Sequence, residues 1–290
     1  MSSSKRSEHL FAPGSAGSTT SYLSKVFGLR YYIRAAARAR ITARNYGLAY
    51  GDLWLVLEPL FSIVVYFVVF SIVLKADRGV DNFLVFLAVG RLVFTNHQGA
   101  VLGASTSLAN DPAILRDTTM PRAVIPLGVV AGAFYQWRQD LFVILVIALV
   151  TAEWPRLSWL AVIPLSLGLM MLNAGLGLTL APIVDRYQDL RRALPVGFQL
   201  IFYMSGVMFP IEFFIRDFEH SNWAFAALML NPVYGYVKCF QWAIMGYDIG
   251  HPIVALFASI AWTLLTLAVG LVVFTRNERG FSSFKLSHEV

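Results

Sequence analysis

The chain has 290 residues and a mean hydropathy of +0.63, with 57% hydrophobic residues and only 14% charged ones. Soluble domains carry about 25% charged residues, so a soluble enzyme and a disordered chain are both excluded and an integral membrane protein is indicated. The net charge of +6 comes from 23 Lys and Arg against 17 Asp and Glu, and in a membrane protein it points to basic residues held on the inner side, not to nucleic acid.

Residues 1–21 are rich in Ser, Gly, Thr and Ala and are expected to form a disordered cytoplasmic tail. No apolar run of signal-peptide type follows, so no cleaved leader is expected. Residues 22–52 form the lead-in to the membrane. Within it the pattern from Tyr22 to Arg44 predicts an interfacial helix. Arg30, Arg34 and Arg38 recur every fourth residue and make one stripe, joined by Arg40 and Arg44, with Tyr32, Ala35, Ala36, Ala39 and Ala43 roughly opposite. A basic stripe of this kind anchors a chain at an anionic surface or meets phosphate oxygens through guanidinium forks.

A transmembrane domain is expected over 53–275. Crossing about 30 Å of hydrocarbon takes about 20 apolar residues. Six stretches qualify: Leu53–Leu74, Phe83–Leu108, Ala123–Val150, Leu160–Val184, Leu194–Pro210 and Pro252–Phe274. Trp223–Met245 is apolar overall but is broken by Asn231, Pro232, Gly235, Lys238 and Gln241. It predicts two half-helices too short to cross alone, hence a re-entrant hairpin before the last span. The expected fold is therefore all-α and integral to the membrane, with six spans, an N-terminal interfacial helix, a re-entrant hairpin and a cytoplasmic tail over 276–290. With the N-terminus inside, sixteen Lys and Arg fall on the inner segments and five on the outer ones. That bias places both termini in the cytoplasm. A seventh span at Trp223–Met245 would weaken it.

The intramembrane charges are the next signal. Arg91 and His97 lie in the second predicted span, Arg138 and Asp140 in the third. Such groups face a bundle interior or water. Arg138 and Asp140 are two residues apart, so they point different ways and each calls for a partner on another helix. His97 reads as a structural histidine rather than a proton relay. The single cysteine, Cys239, excludes an intramolecular disulfide and a thiolate metal cluster. The sequence contains no GxxxxGK[ST] phosphate loop, HExxH, D-x-D or GxSxG motif. Uphill transport by this chain would thus need a partner or an ion gradient.

The order of motifs resembles the permease subunits of ABC-2 type exporters, and within them the polysaccharide exporters of O-antigen, capsule, teichoic acid and galactan systems. Tyr46 to Pro59, with Gly51, Trp54 and Pro59, matches the approach to the first span. Ser107–Asn110, then Met120, Pro121, Arg122 and Pro126, resembles the first cytoplasmic loop. Asp185–Asp189 is similar to the charged loop before the fifth span. Leu230, Asn231 and Pro232, then Phe240–Ala243, resemble the hairpin, and the region of Phe281 the short tail. Glu58 and Arg138 depart from the usual pattern.

The resemblance implies a channel made by two copies of the chain, working with two ABC ATPase subunits that bind ATP and Mg. This chain itself would hold no cofactor and perform no bond chemistry. The substrate implied is an undecaprenyl- or polyprenyl-linked polysaccharide, O-antigen-like or a cell-wall galactan, moved outward across the cytoplasmic (inner) membrane. Asp111, Arg116 and Asp117 would couple to the ATPase, with Asp185, Asp189 and Arg191 as a second coupling set. Arg30, Arg34, Arg38, Arg40 and Arg44 would meet lipid heads or the substrate's pyrophosphate. Tyr66, Phe70, Phe198, Phe202 and Tyr203, with Arg138 and Asp140, would line the channel, because sugar CH faces stack on rings. The alternatives are an ABC-2 exporter of a drug or small lipid, a membrane-embedded glycosyltransferase or ligase, and a gradient-driven transporter.

Overall fold

A computed structural model describes residues 28, 30–45, 51–75, 80–110, 121–211, 221–247 and 252–284. Among these residues every regular element is helical. In chain order they are α1 (Arg30–Asn45), α2 (Gly51–Phe67), α3 (Phe83–Asn110), α4 (Val124–Val150), α5 (Val162–Arg186), α6 (Leu190–Met204), α7 (Ser221–Met229), α8 (Pro232–Met245) and α9 (Pro252–Phe284). A π-helical turn, Val68–Val73, extends α2, and a 3-10 turn, Leu157–Ala161, leads into α5.

Among the described residues four stretches are long and apolar enough to cross a membrane: Val56–Val73, Val124–Val150, Leu157–Arg186 and Pro252–Asn277. They match the first, third, fourth and last spans expected from the sequence. The 28 residues of α3 are long enough as well, at about 42 Å, but Arg91, Asn96, His97 and Gln98 dilute their apolarity. Its burial explains the mixture. Val85 to Val89 are fully buried, as are Val93, Phe94 and Val101, and α3 packs against α4, α5 and α8 at the centre of the core.

Small residues set the closest approaches. A Cβ on Gly175 would lie 2.6 Å from the backbone of Thr266 and Leu267, and one on Gly177 would lie 2.7 Å from Ala104 Cβ. Glycine there lets α5 press against α9 on one side and α3 on the other, the packing used where helices associate without a hydrophobic driving force. Of the small-residue face expected on α1, Ala36 lies against α4, Tyr32 and Ala35 are exposed, and the side chains of Ala39 and Ala43 lie outside the described ones. Ala36 and Ala37 lie over Gly128 and Gly132 of α4, while Tyr31, Tyr32, Arg34 and Arg38 face outward.

The hairpin is specified by its caps. Asn231 accepts from the Val233 amide at 3.1 Å, and Pro232 occupies the first turn of α8, where its missing N–H is not needed. Gly246, at φ 68°, ends α8 in the left-handed conformation. The last carbonyls of α8 would otherwise lack donors. They are satisfied from the α4–α5 connection, by Ser158 to Ala243 at 2.7 Å, Trp159 to Ile244 at 2.9 Å and Arg156 to Met245 at 3.1 Å. With 9 and 14 residues, α7 and α8 are about 14 and 21 Å long, each short of a crossing.

Three boundaries differ from the sequence expectation. The charged loop at 185–193 is a break of only three residues, Tyr187–Asp189. Asp185 and Arg186 close α5, and Arg191 and Arg192 open α6, because Leu190 to Arg192 already donate to the carbonyls of residues 187–189. At the other end, α9 runs on to Phe284 past the expected boundary near 275. No proline interrupts it, and Thr275 and Asn277 bond back to the carbonyls of Leu271 and Val273. The fifth span also stops earlier than Pro210, at Met204, where Gly206 at φ 60° turns the chain.

Candidate functional site

The aromatic side chains singled out along the first and fifth spans come together. Tyr66 and Phe70 of α2 and its π turn stack with centroids 6.2 Å apart, and Tyr66 meets Phe202 of α6 edge-on at 6.1 Å. Phe202 touches Tyr203 at 5.7 Å and Phe94 of α3 at 5.0 Å, and Phe198 packs on the His97 ring at 5.7 Å. The result is one aromatic wall drawn from three helices. Its buried side is Phe94, Phe198 and Phe202, and Tyr203 stands exposed.

Arg91 completes this wall. Its guanidinium carbon lies 5.1 Å from the Tyr66 ring centre and 5.5 Å from that of Phe202, so the cation sits between two π faces. One of its terminal nitrogens donates to Thr95, and its Nε is buried without a hydrogen-bond partner. Rings beside a cation suit a polyhydroxylated ligand that carries negative charge, with CH faces on the rings and the anion near the guanidinium.

Arg138 and Asp140 do not join this wall. As the two-residue spacing requires, they diverge: Arg138 is exposed and lies over the Tyr135 ring at 4.8 Å, whereas Asp140 is buried and accepts from Gln136 at 3.5 Å. His97 has a structural environment. Its Nδ1 donates to Asn173 Oδ1 of α5 at 2.6 Å, and both residues are buried.

At the ends of α3, α5 and α6 the charged residues form a second constellation. Arg191 donates to the side chain of Asn110, the last residue of α3. Asp185, half-buried at the end of α5, lies in the field of Arg122. Asp189 is exposed in the short break. Asp111, Arg116 and Asp117 lie outside the described residues. Arg34 and Arg38 are exposed on α1. Arg30, Arg40 and Arg44 belong to the same helix, but their side chains lie outside the described ones.

Asn231 and Pro232 form the turn of the α7–α8 hairpin. Asn231 Nδ2 also donates to Ser205 Oγ at 2.8 Å, beyond the end of α6. Sequence reasoning treated Lys238 only as an interruption of an apolar run. It is fully buried, lies 5.0 Å from the ring centre of Phe86, 5.5 Å from Tyr247 and 5.7 Å from Tyr234, and donates to the Gly206 carbonyl at 3.4 Å. The available signal was local: Tyr234 stands one helical turn before it. Among the described residues no three His, Cys, Asp or Glu gather as metal ligands do.

The fold and this site define a helical membrane protein built from several apolar helices, with an aromatic wall and charge concentrated at helix ends. No protein-family model matches the chain. It is similar to the O-antigen export system permease protein RfbA of Myxococcus xanthus, with 24% identity over 258 residues, which covers 88% of this chain and 96% of that protein. It is also similar to the protein of the same name from Klebsiella pneumoniae, with 24% identity over 80% of this chain and 86% of the relative. The polysialic acid transport protein KpsM of Escherichia coli is 22% identical over 80% of the chain and 88% of its own length. The resemblance read from the motifs, to permease subunits of ABC-2 type polysaccharide exporters, therefore holds.

Proposed function

We propose that this chain is the membrane-spanning subunit of an ATP-driven exporter of a lipid-linked polysaccharide. The observation that supports it most is the extent of the similarity to export permeases, 80–88% of this chain and 86–96% of theirs. A match of that extent covers most of the chain rather than one motif.

In this reading six segments cross the cytoplasmic membrane: α2, α3, α4, α5, α9 and, as the fifth, α6 continued by residues 205–210, since the 15 residues of α6 alone span about 22 Å. The α7–α8 hairpin is re-entrant, its turn tied by Asn231 to Ser205 beyond α6 at 2.8 Å and by Trp262 of α9, which donates to the Met229 carbonyl at 2.9 Å. Two copies form the channel, and two ABC ATPases dock on the segment holding Asp111, Arg116 and Asp117 and on the α5–α6 break. ATP and Mg reside in those partners. The half-buried Tyr66 and Phe70 and the exposed Tyr203 offer ring faces to successive sugars without fixing any one of them, as transit requires, with Phe202 buried behind them. Arg91 holds a positive charge beside the path. The Arg34 and Arg38 stripe faces anionic lipid heads or the substrate's diphosphate.

The test is gentle purification of the tagged full-length protein with mass spectrometry of what accompanies it. A stoichiometric ATPase with its own phosphate-binding loop is the expected result. A clean preparation lacking any ATPase, reproduced under mild conditions, would overturn the proposal.

A further inference from the structure

Arg91 stands well inside α3, about 12 Å along the helix from Phe83 and about 28 Å from Asn110. Its head group is held in place rather than left to swing. The Thr95 hydroxyl donates to the Arg91 carbonyl at 2.7 Å and accepts from a terminal guanidinium nitrogen. The Tyr66 and Phe202 rings lie 5.1 and 5.5 Å from the guanidinium carbon. Among the described residues no carboxylate pairs with it. An intramembrane cation is costly and ordinarily has an anionic partner. Ring faces offset part of that cost, but they supply no oxyanion.

The open side of Arg91 is defined by its neighbours. Its Nε is buried without a partner, so a ligand reaches the guanidinium through the terminal nitrogens, where Thr95 is exposed. A planar fork there suits the two oxygens of a carboxylate or two of a phosphate. The rings continue on both sides: Tyr66 leads to Phe70 at 6.2 Å, and Phe202 to the exposed Tyr203 at 5.7 Å. Ring faces accept the CH face of any sugar, charged or neutral. They therefore carry no information about charge, and Arg91 does. Lipid heads stay at the membrane faces, so an anion that meets Arg91 at this depth belongs to what moves past the wall.

From this geometry we propose that Arg91 is a specificity-determining residue that favours glycans with oxyanions on their sugars, carboxylate or phosphate, over neutral glycans. The proposal rests on the export reading above and adds the sign of the cargo's charge. No Lys or Arg other than Arg91 belongs to the wall, so each acidic sugar gains one contact that the next acidic sugar replaces. The chain is selected without being held. A carrier diphosphate passes this depth once, whereas acidic repeats meet the cation again and again.

The test measures binding by calorimetry to the full-length protein in lipid nanodiscs. The probes are a hexasaccharide with glucuronate at alternate positions, the same hexasaccharide with every carboxylate reduced to a neutral hydroxymethyl group, and inorganic diphosphate. The acidic hexasaccharide is expected to bind about tenfold more tightly than its reduced form. In Arg91→Gln that ratio is expected to fall to about one, and in Arg91→Lys to a value between, because an ammonium keeps the charge but loses the fork. Partial unfolding of a variant lowers the number of sites and not this ratio. Tyr203→Ala is expected to weaken both glycans by the same factor and keep the ratio. A parent that binds both glycans alike, or an Arg91→Gln protein that keeps the preference, overturns charge selection and leaves the export reading in place. Inorganic diphosphate that binds more tightly than the acidic glycan, and loses its binding in Arg91→Gln, assigns the cation to the carrier and overturns the proposal too. A parent that binds neither glycan overturns the polysaccharide reading itself, and the proposal with it.

Discussion

His97 brings an ionisable ring into the middle of α3, and its environment decides its role. The Nδ1–H is committed to Asn173 Oδ1 at 2.6 Å, and the ring is packed between Phe94, edge-on, and Phe198, tilted. Both polar partners are buried, so removing one strands the other. His97→Leu and Asn173→Leu are each expected to lower the melting temperature in detergent. The double variant should be less unstable than the sum of the two, by on the order of 1 kcal/mol. Strict additivity would show that the pair does not interact. Arg91 contrasts with His97: it is only half-buried and its charge rests against two rings, which places it at the wall and not in the core. The same distinction separates Asp140 from Arg138, two residues apart on one helix and on opposite sides of the burial boundary.

Glycines decide how closely the helices pack. Gly175 has the backbone of α9 2.6 Å from where its Cβ would stand, whereas nothing lies within 4 Å of a Cβ on Gly197 in α6. Intrinsic propensity favours alanine over glycine in a helix by about 1 kcal/mol, so the two substitutions should have opposite signs. Gly197→Ala is expected to raise thermal stability slightly. Gly175→Ala is expected to lower it by about 1–3 kcal/mol, because backbone cannot move aside as a flexible side chain does. Equal shifts in the melting temperature would contradict the close α5–α9 contact. The hairpin shows the complementary device. Asn231, Pro232 and Gly246 set where α8 starts and stops, and Ser158, Trp159 and Arg156 supply its terminal carbonyls with donors.

For the whole molecule, the distribution of basic residues predicts an orientation that labelling can test. Trp154, exposed at 71%, and the exposed Gln188 stand at opposite ends of the apolar stretch Leu157–Arg186. With the only native cysteine buried, single-cysteine labelling reads the topology directly. Trp154→Cys is expected to react with a membrane-impermeant thiol reagent on intact cells. Gln188→Cys is expected to react only after the membrane is opened. Labelling of both from one side would exclude α5 as a span, and the reverse pattern would invert the orientation drawn from the positive-inside bias.

Composition and periodicity by themselves determined the class, a helical membrane protein, where its long apolar helices lie and where Asn231 and Pro232 interrupt the run before the last of them. They did so because crossing length, helical repeat and the Asn-Pro and Gly end signals are local properties of the chain. The aromatic residues of the first and fifth spans were legible as candidates, but not as one wall. Tyr66 and Phe202 stand far apart in sequence, and only the packing of α2 and α6 on α3 brings them to 6.1 Å. Lys238 was hidden for the same reason. A lysine in an apolar run reads as a defect until the fold surrounds it with Phe86 and Tyr247 and sets the Gly206 carbonyl before it. The Arg191–Asn110 joint likewise depends on where two helices end relative to one another. Such long-range pairings carry no periodic signature, so the tertiary structure alone decided them.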